Sequence, residues 1–215
     1  MAVAKETIDG LREVAVASIS DALGQLGVGG TMEAAISPIF ASKIVGPAVT
    51  VLEEAAADAG PPEHALEAID TGEPGSVVVI SHGGDPNVAL WGGLMAAGAH
   101  TRGLEGAVLD GSVRDAEEIE RDFGFPVFSR GTSPVTTIGR YRTVANGVPV
   151  TCGGVEVTPG DLVVGDADGV AVVPADHADE VLARAREIED REARTTEMIK
   201  EYASIRDAVA AFDRI

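Results

Sequence analysis

A single cysteine, Cys152, stands in the 215-residue chain, and one thiol cannot build an internal disulfide framework. In its Val- and Gly-rich setting it is expected to be a small core residue. Aromatic residues make up only 4% of the chain, so a core must come from Val, Ala, Leu and Ile, within an apolar content of 45%. Lysine is scarce beside arginine, and only Lys43 lies well inside the chain, opening a strand, which disfavours Schiff-base catalysis. His64, His82, His100 and His177 are scattered without the spacing of a zinc site. No G-x-G-x-x-G opens a helix after a strand, so no dinucleotide or S-adenosylmethionine site is indicated. No apolar run is long enough to span a membrane. The first residues, MAVAKETIDGLREV, lack the apolar segment of a secretory signal, so a cytoplasmic protein is the expectation.

Positive charge is also short. The formal net charge is −19 and the isoelectric point about 4.4. A surface of that sign repels phosphate backbones and argues against nucleic acid as a principal partner. Acidic, lysine-poor chains suit concentrated salt, and high-GC genomes give a similar bias.

What is present is an α/β rhythm. Residues 5–27 read as two short helices, with Ser18 and Ser20 as candidate N-caps and glycines closing the second. KIVGPAVTVLEE (43–54) alternates and is β-branched, as a strand requires. PPEHALEAIDT has helical spacing after its prolines. GSVVVIS (75–81) and GAVLDG read as buried strands. NVALWGGLMAAGAHTRG is helical in pattern and stops at Gly103, and DAEEIERDFG is a short helix ending at Gly124. The second half is a series of short strands punctuated by Gly, Pro and Asp. One or two long helices follow, with Val181, Leu182, Ala185 and Ile188 as the apolar stripe. GDADG (165–169) fits a tight β-turn better than a calcium loop. With no repeat and no linker, residues 1–215 read as one α/β unit.

The stretch that carries chemistry is LDGSVRD. A buried strand ends at Leu109, Gly111 allows a sharp turn, and Arg114 and Asp115 then lie near the start of a helix. Open α/β sheets place ligands at such carboxyl ends. An arginine there can clamp a carboxylate bidentately, and the aspartate can bind a hard divalent cation through oxygen. The plainer alternative is that Asp115 caps the following helix and Arg114 pairs with a nearby acid.

The order of SISDALG, IVGPAVTV, PGSVVVI, ALWGGLMAAGA, GAVLDGSVRDAEEI, FPVFSRG and PVTCGGVEVTPGDLVVGDADGVAVVP resembles the RraA-like family. That family includes the class II 4-hydroxy-4-methyl-2-oxoglutarate/4-carboxy-4-hydroxy-2-oxoadipate aldolases, and its members have often been labelled menaquinone methyltransferases. The resemblance implies an α/β/β sandwich similar to phosphohistidine swivelling domains, with N-terminal helices and a long C-terminal helix. It implies a homotrimer or a hexamer with active sites between protomers. Arg114 matches the arginine that binds the pyruvyl carboxylate, and Asp115 the aspartate that holds Mg2+ or Mn2+. Gly93, Leu94 and Met95 match the helix start whose N–H groups bind the pyruvyl oxygens, and Glu192 matches a glutamate supplied by a neighbouring protomer. The implied activity is metal-assisted lysis of a 2-oxo acid: retro-aldol cleavage of a 4-hydroxy-2-oxo diacid, or decarboxylation of oxaloacetate. The alternative is a non-catalytic regulator that binds a ribonuclease E-like protein.

One position departs from the aldolase pattern. Those enzymes carry an acidic, proton-handling residue twenty residues before the Arg-Asp pair, and here that position is Gly93. A glycine side chain cannot act as an acid or base. Asp85 and His82, in the loop before the predicted helix, are candidates to compensate. Asp85 could equally be a turn residue, and His82 an ordinary polar loop histidine.

Overall fold

The computed structural model describes residues 3–40 and 42–212. In chain order the elements are α1 (Lys5–Glu13), α2 (Val16–Leu26), β1 (Ser37–Pro38), β2 (Ile44–Ala55), α3 (Glu63–Thr71), β3 (Val77–Ser81), β4 (Ala89–Trp91), α4 (Gly93–Thr101), β5 (Gly106–Leu109), β6 (Ser112–Val113), α5 (Ala116–Glu118), β7 (Val127–Ser129), β8 (Tyr141–Asn146), β9 (Val150–Cys152), β10 (Val155–Val157), β11 (Leu162–Asp166), β12 (Gly169–Val173), α6 (Ala178–Tyr202) and α7 (Ile205–Phe212). An eight-stranded sheet runs β1-β7-β5-β3-β2-β11-β12, with β8 added on β2. Strands β7, β5, β3 and β2 are parallel neighbours, whereas β11 joins β2 and β12 antiparallel.

The period-2 alternation of the strands assigns each side chain to a face. In β3, Val77 and Val79 point to one apolar cluster and Val78 and Ile80 to another. In β12, Val170 and Val172 join Val77 and Val79, while Ala171 and Val173 face the other way. The shared face is filled by Phe128 and by Val150, Cys152 and Val157 from the β9–β10 hairpin. The opposite face is covered in two patches. Helices α3 and α4 pack over the parallel half, and α1, α2 and α6 over β11 and β12. This is the expected α/β/β arrangement, with N-terminal helices and a long C-terminal helix. Cys152 is buried in it, as expected of a core thiol.

Three local readings change. The segment from Asn87 is not helical throughout: β4 precedes the helix and pairs parallel with β6. A three-residue strand is too short to show a period, and residues more than twenty positions away specify it. Ser18 and Ser20 lie inside α2 and cap nothing. The free amides there are met by tertiary carboxylates instead, Ala15 N–H donating to Glu189 and Val16 N–H to Asp166. Gly27 does close α2, at φ 70°. The helix after Arg114 has only three α-helical residues and widens to a π-helical turn over Ile119–Phe123 before Gly124. The C-terminal helix is two helices, interrupted at Ala203, φ 51°. Asp166 and Gly169 close a tight hairpin between β11 and β12, so GDADG is a turn.

Candidate active site

The twenty-residue interval between Gly93 and Arg114 has a simple geometric origin. Strands β4 and β6 are parallel neighbours, with Trp91 opposite Val113. The chain leaves β4 through α4, returns through β5, and re-emerges beside its own starting point. The residues that follow the two strands therefore sit side by side. Arg114 N–H donates to the Trp91 carbonyl, and Gly93 N–H donates to Asp115 Oδ2 at 3.0 Å.

Asp115 has φ 59°, the left-handed region, which an aspartate enters only at some cost. It occupies the N-cap position of α5 but makes no side-chain cap bond to it. Its carboxylate turns back to the start of α4, where the helix dipole favours a negative charge. The plainer sequence alternative is thus half correct: Arg114 does pair with an acid, Asp115 itself, Nε to Oδ2 at 3.3 Å. Both side chains stay open to solvent, and cavities lie on both sides of Arg114.

Of the three amides at the head of α4, Gly93 N–H is taken by Asp115. The first intrahelical bond is Ala96 N–H to the Gly92 carbonyl. Leu94 and Met95 therefore keep N–H groups with no acceptor among the described residues. Two donors at a helix N-terminus beside a guanidinium form an anion-binding arrangement. The Leu94 side chain is 90% exposed.

The structure also shows what stands where Gly93 lacks a side chain. A Cβ built on Gly93 would lie 2.8 Å from Glu118 Oε1, 3.1 Å from its Cδ and 3.3 Å from Oε2. The Glu118 carboxylate, from the last residue of α5, fills the space that a residue-93 side chain would take. The sequence reading missed Glu118. Its signal was the spacing: three residues beyond Asp115, on a helical turn, a carboxylate returns to the same face.

Asp85 and His82 do not occupy that place. Neither lines the cavities that contain Arg114 or Asp115. Asp85 closes a turn on Asn87, accepting from its backbone N–H at 2.9 Å and its side chain at 2.8 Å, and accepts the Tyr141 hydroxyl at 3.2 Å. The Asn87 bonds, backbone first, lower its pKa. His82 is not an ordinary loop residue. It is 8% exposed, tilts against Tyr141 at 4.4 Å, and finds no hydrogen-bond partner among the described residues. Burial lowers its pKa. Glu192 lies exposed on α6, whose apolar stripe packs with α1 and α2 over β11 and β12, away from the cluster that holds α4. Within one chain it is not brought to Arg114.

Among the described residues no group of three or more His, Cys, Asp and Glu is arranged to hold a metal. Asp115 and Glu118 bracket Gly93 and line one shallow cavity with Thr132. Hard carboxylate oxygens, one or two in number, with the remaining positions left to water and substrate, suit Mg2+ or Mn2+. The donor set fits that kind of cation. No helix among the described residues is long and apolar enough to cross a membrane.

The family pattern described as RraA-like, Aldolase/RraA, matches residues 16–172. A protein of Halalkalibacterium halodurans named "Putative 4-hydroxy-4-methyl-2-oxoglutarate aldolase" is 37% identical over 201 residues, covering 91% of this chain and 90% of its own. A crystal structure of an uncharacterized protein from Pseudomonas syringae superposes with a TM-score of 0.85 at 33% identity, over 97% of this chain and 98% of that one. A crystal structure of Streptomyces coelicolor RraAS2, titled an unusual member of the RNase ES inhibitor RraA protein family, gives 0.80 at 30% identity, over 90% and 96%. The pattern covers most of the sequence, and the protein belongs to the RraA-like family.

Proposed function

We propose that this protein is a carbon–carbon lyase of 2-oxo acids that works with Mg2+ or Mn2+. It would cleave a 4-hydroxy-2-oxo acid by retro-aldol chemistry, decarboxylate oxaloacetate, or do both. The observation that carries the reading is the convergence on Gly92 and Gly93 of Arg114, the carboxylates of Asp115 and Glu118, and the two free amides of α4. The aldolase names of its relatives support a lyase in general.

In this reading Arg114 clamps the substrate's 1-carboxylate through its planar fork. The amides of Leu94 and Met95 face the oxygen on which charge develops, where fixed donors contribute most. Asp115 and Glu118 would hold the cation, which when bound supplies Lewis-acid stabilisation of the 2-oxo group. Asp115 is kept in place by the Gly93 N–H. For aldol cleavage the C4 hydroxyl must lose a proton, and Glu118 is the carboxylate placed where relatives with an acidic residue at position 93 would carry theirs. Decarboxylation needs no such base, so one clamp serves both reactions. Glu192 is proposed to reach the site from a neighbouring protomer of a homotrimer or hexamer. The test is pyruvate release from oxaloacetate and a panel of 4-hydroxy-2-oxo acids, with Mg2+ or Mn2+ and then with EDTA. No pyruvate from any of them would refute the reading.

A second reading, a regulator of a ribonuclease E-like partner, draws on the similarity to Streptomyces coelicolor RraAS2 and on the charge of −19, which suits a basic partner. Inhibition of such a ribonuclease by an Arg114→Ala variant as strong as by the wild type would favour it.

A further inference from the structure

Strand β6, which delivers Arg114 and Asp115, has only two residues and cannot fix its own register. It is held from both edges. On one side Ser112 N–H donates to the Val88 carbonyl and Arg114 N–H to that of Trp91. On the other, residues 130–133 run parallel to it. Arg130 N–H donates to the Gly111 carbonyl at 2.8 Å, Val113 N–H to Gly131 and Ser133 N–H to Val113, with Thr132 opposite Val113.

Arg130 ties this second edge to the start of the turn twice over. Besides its backbone bond to Gly111, its guanidinium donates to Asp110 Oδ1 from Nε at 2.9 Å and from Nη2 at 2.7 Å. Gly153 N–H donates to the same oxygen at 3.2 Å. The side chains of Asp110 and Arg130 are only 6% and 15% exposed. The third arm of the guanidinium reaches Glu33, which is 56% exposed. On the opposite face of the turn, the His82 ring fills the space beside Gly111: a Cβ there would lie 2.7 Å from its Cε1. Neither Asp110 nor Arg130 lines the cavities that contain Arg114 or Asp115, so neither touches what binds there. A buried ion pair is a weak source of stability, because desolvation offsets its attraction, but it can fix a register. Here a slip of one residue would turn Arg114 and Asp115 to the wrong faces.

Resting on the lyase reading, we propose that Arg130 is a positioning residue, whose bonds to Asp110 and Gly111 set the register of β6 and so aim Arg114 and Asp115 at Gly92 and Gly93. All of these bonds lie within one chain.

The experiment compares three full-chain variants with the wild type. Asp110→Asn/Arg130→Met removes both charges together, so neither is left buried alone, and asparagine still offers Gly153 N–H an acceptor. Arg130→Lys keeps the charge but loses the fork that bonds Asp110 twice. Glu33→Gln removes only the outer contact. Each is measured for urea-denaturation stability, for oxalate and Mn2+ affinity by calorimetry, and for kcat and KM of pyruvate release from oxaloacetate with Mg2+. The double variant should keep near wild-type stability while kcat falls about 10- to 100-fold, the effect of displacing a positioned group by about an ångström. Oxalate and Mn2+ should bind it more weakly. Arg130→Lys should fall between it and the wild type. Glu33→Gln should stay within about twofold throughout, since an exposed ion pair contributes little. A double variant with wild-type kcat and wild-type affinities overturns the proposal and leaves the lyase reading intact, as does activity that falls only in step with the unfolded fraction. If the double variant does not fold, Arg130→Lys decides: lower kcat at unchanged stability supports the proposal, and lower stability at unchanged kcat overturns it. Absence of pyruvate from the wild type, with oxaloacetate and 4-hydroxy-2-oxo acids alike, overturns the lyase reading. The two affinities then decide the positioning role, and a wild type that binds neither probe overturns both.

Discussion

Replacing Gly93 with alanine should leave the fold intact and damage the chemistry. The new methyl would lie 2.8 Å from Glu118 Oε1 and 3.1 Å from its Cδ, so the carboxylate must retreat by more than half an ångström or change rotamer. Every atom in the way is the tip of one flexible side chain, and no backbone has to move. Alanine is preferred over glycine in a helix by up to ~1 kcal/mol, and a displaced rotamer costs about 0.5–1.5 kcal/mol, so stability should change by less than about 1 kcal/mol. Activity is more sensitive. Displacing a positioned catalytic group by about an ångström can cost on the order of a hundredfold. Aldol cleavage should therefore fall about 10- to 100-fold, oxaloacetate decarboxylation less, and Mn2+ should bind more weakly. Gly93→Asp adds a second carboxylate beside Glu118. At about 5 Å their repulsion is roughly 1–3 kcal/mol between water-like and protein-like dielectric, so this variant alone should gain nothing. Gly93→Asp combined with Glu118→Ala should recover much of the loss, because one carboxylate again fills the space. The assays are thermal melting, pyruvate release and Mn2+ titration. If Gly93→Ala and Glu118→Gln both keep wild-type cleavage and wild-type Mn2+ affinity, Glu118 has no part in the site.

Arg114→Lys should lose inhibition by oxalate, an enolate mimic, because an ammonium cannot reproduce the planar fork; unchanged inhibition would make Arg114 merely structural. Asp115→Gly and Asp115→Ala should both abolish metal-dependent turnover, but the glycine variant should melt higher, since φ 59° suits glycine and strains alanine by about 1 kcal/mol. Glu53 is buried without a partner among the described residues, and desolvation pushes its carboxyl up to about 7. A raised carboxyl pKa means that the folded state holds the proton more tightly. Its contribution is fully present below the unfolded value of about 4.5 and is lost as the pH rises through about 7. Glu53→Gln should therefore flatten urea-denaturation stability between pH 5 and 8, and an unchanged pH slope would count against this account. Light scattering at micromolar concentration should give the mass of a trimer or a multiple of one; a clean monomer would sink the role of Glu192.

The order of elements and their burial were legible because burial imposes periods. Valine runs such as Val77–Val79 mark strands buried on both faces, and the stripe Val181, Leu182, Ala185 marks the covered side of α6. Gly27 and Gly124 could be read as helix ends because φ 70° and 54° need little more than a missing Cβ. Motif order likewise carried the Arg114-Asp115 pair. Short-range rules failed where a distant residue supplied the partner. Glu189 and Asp166 cap α2 in place of its own serines, and β4 exists because β6 lies beside it. The same limit governs the site. From sequence Gly93 reads as a missing acid, whereas in three dimensions its lack of a side chain makes the room that the Glu118 carboxylate fills. Whether a position is empty depends on which neighbour folds over it. That is fixed by the parallel return of the chain from β4 to β6, and linear spacing does not record it.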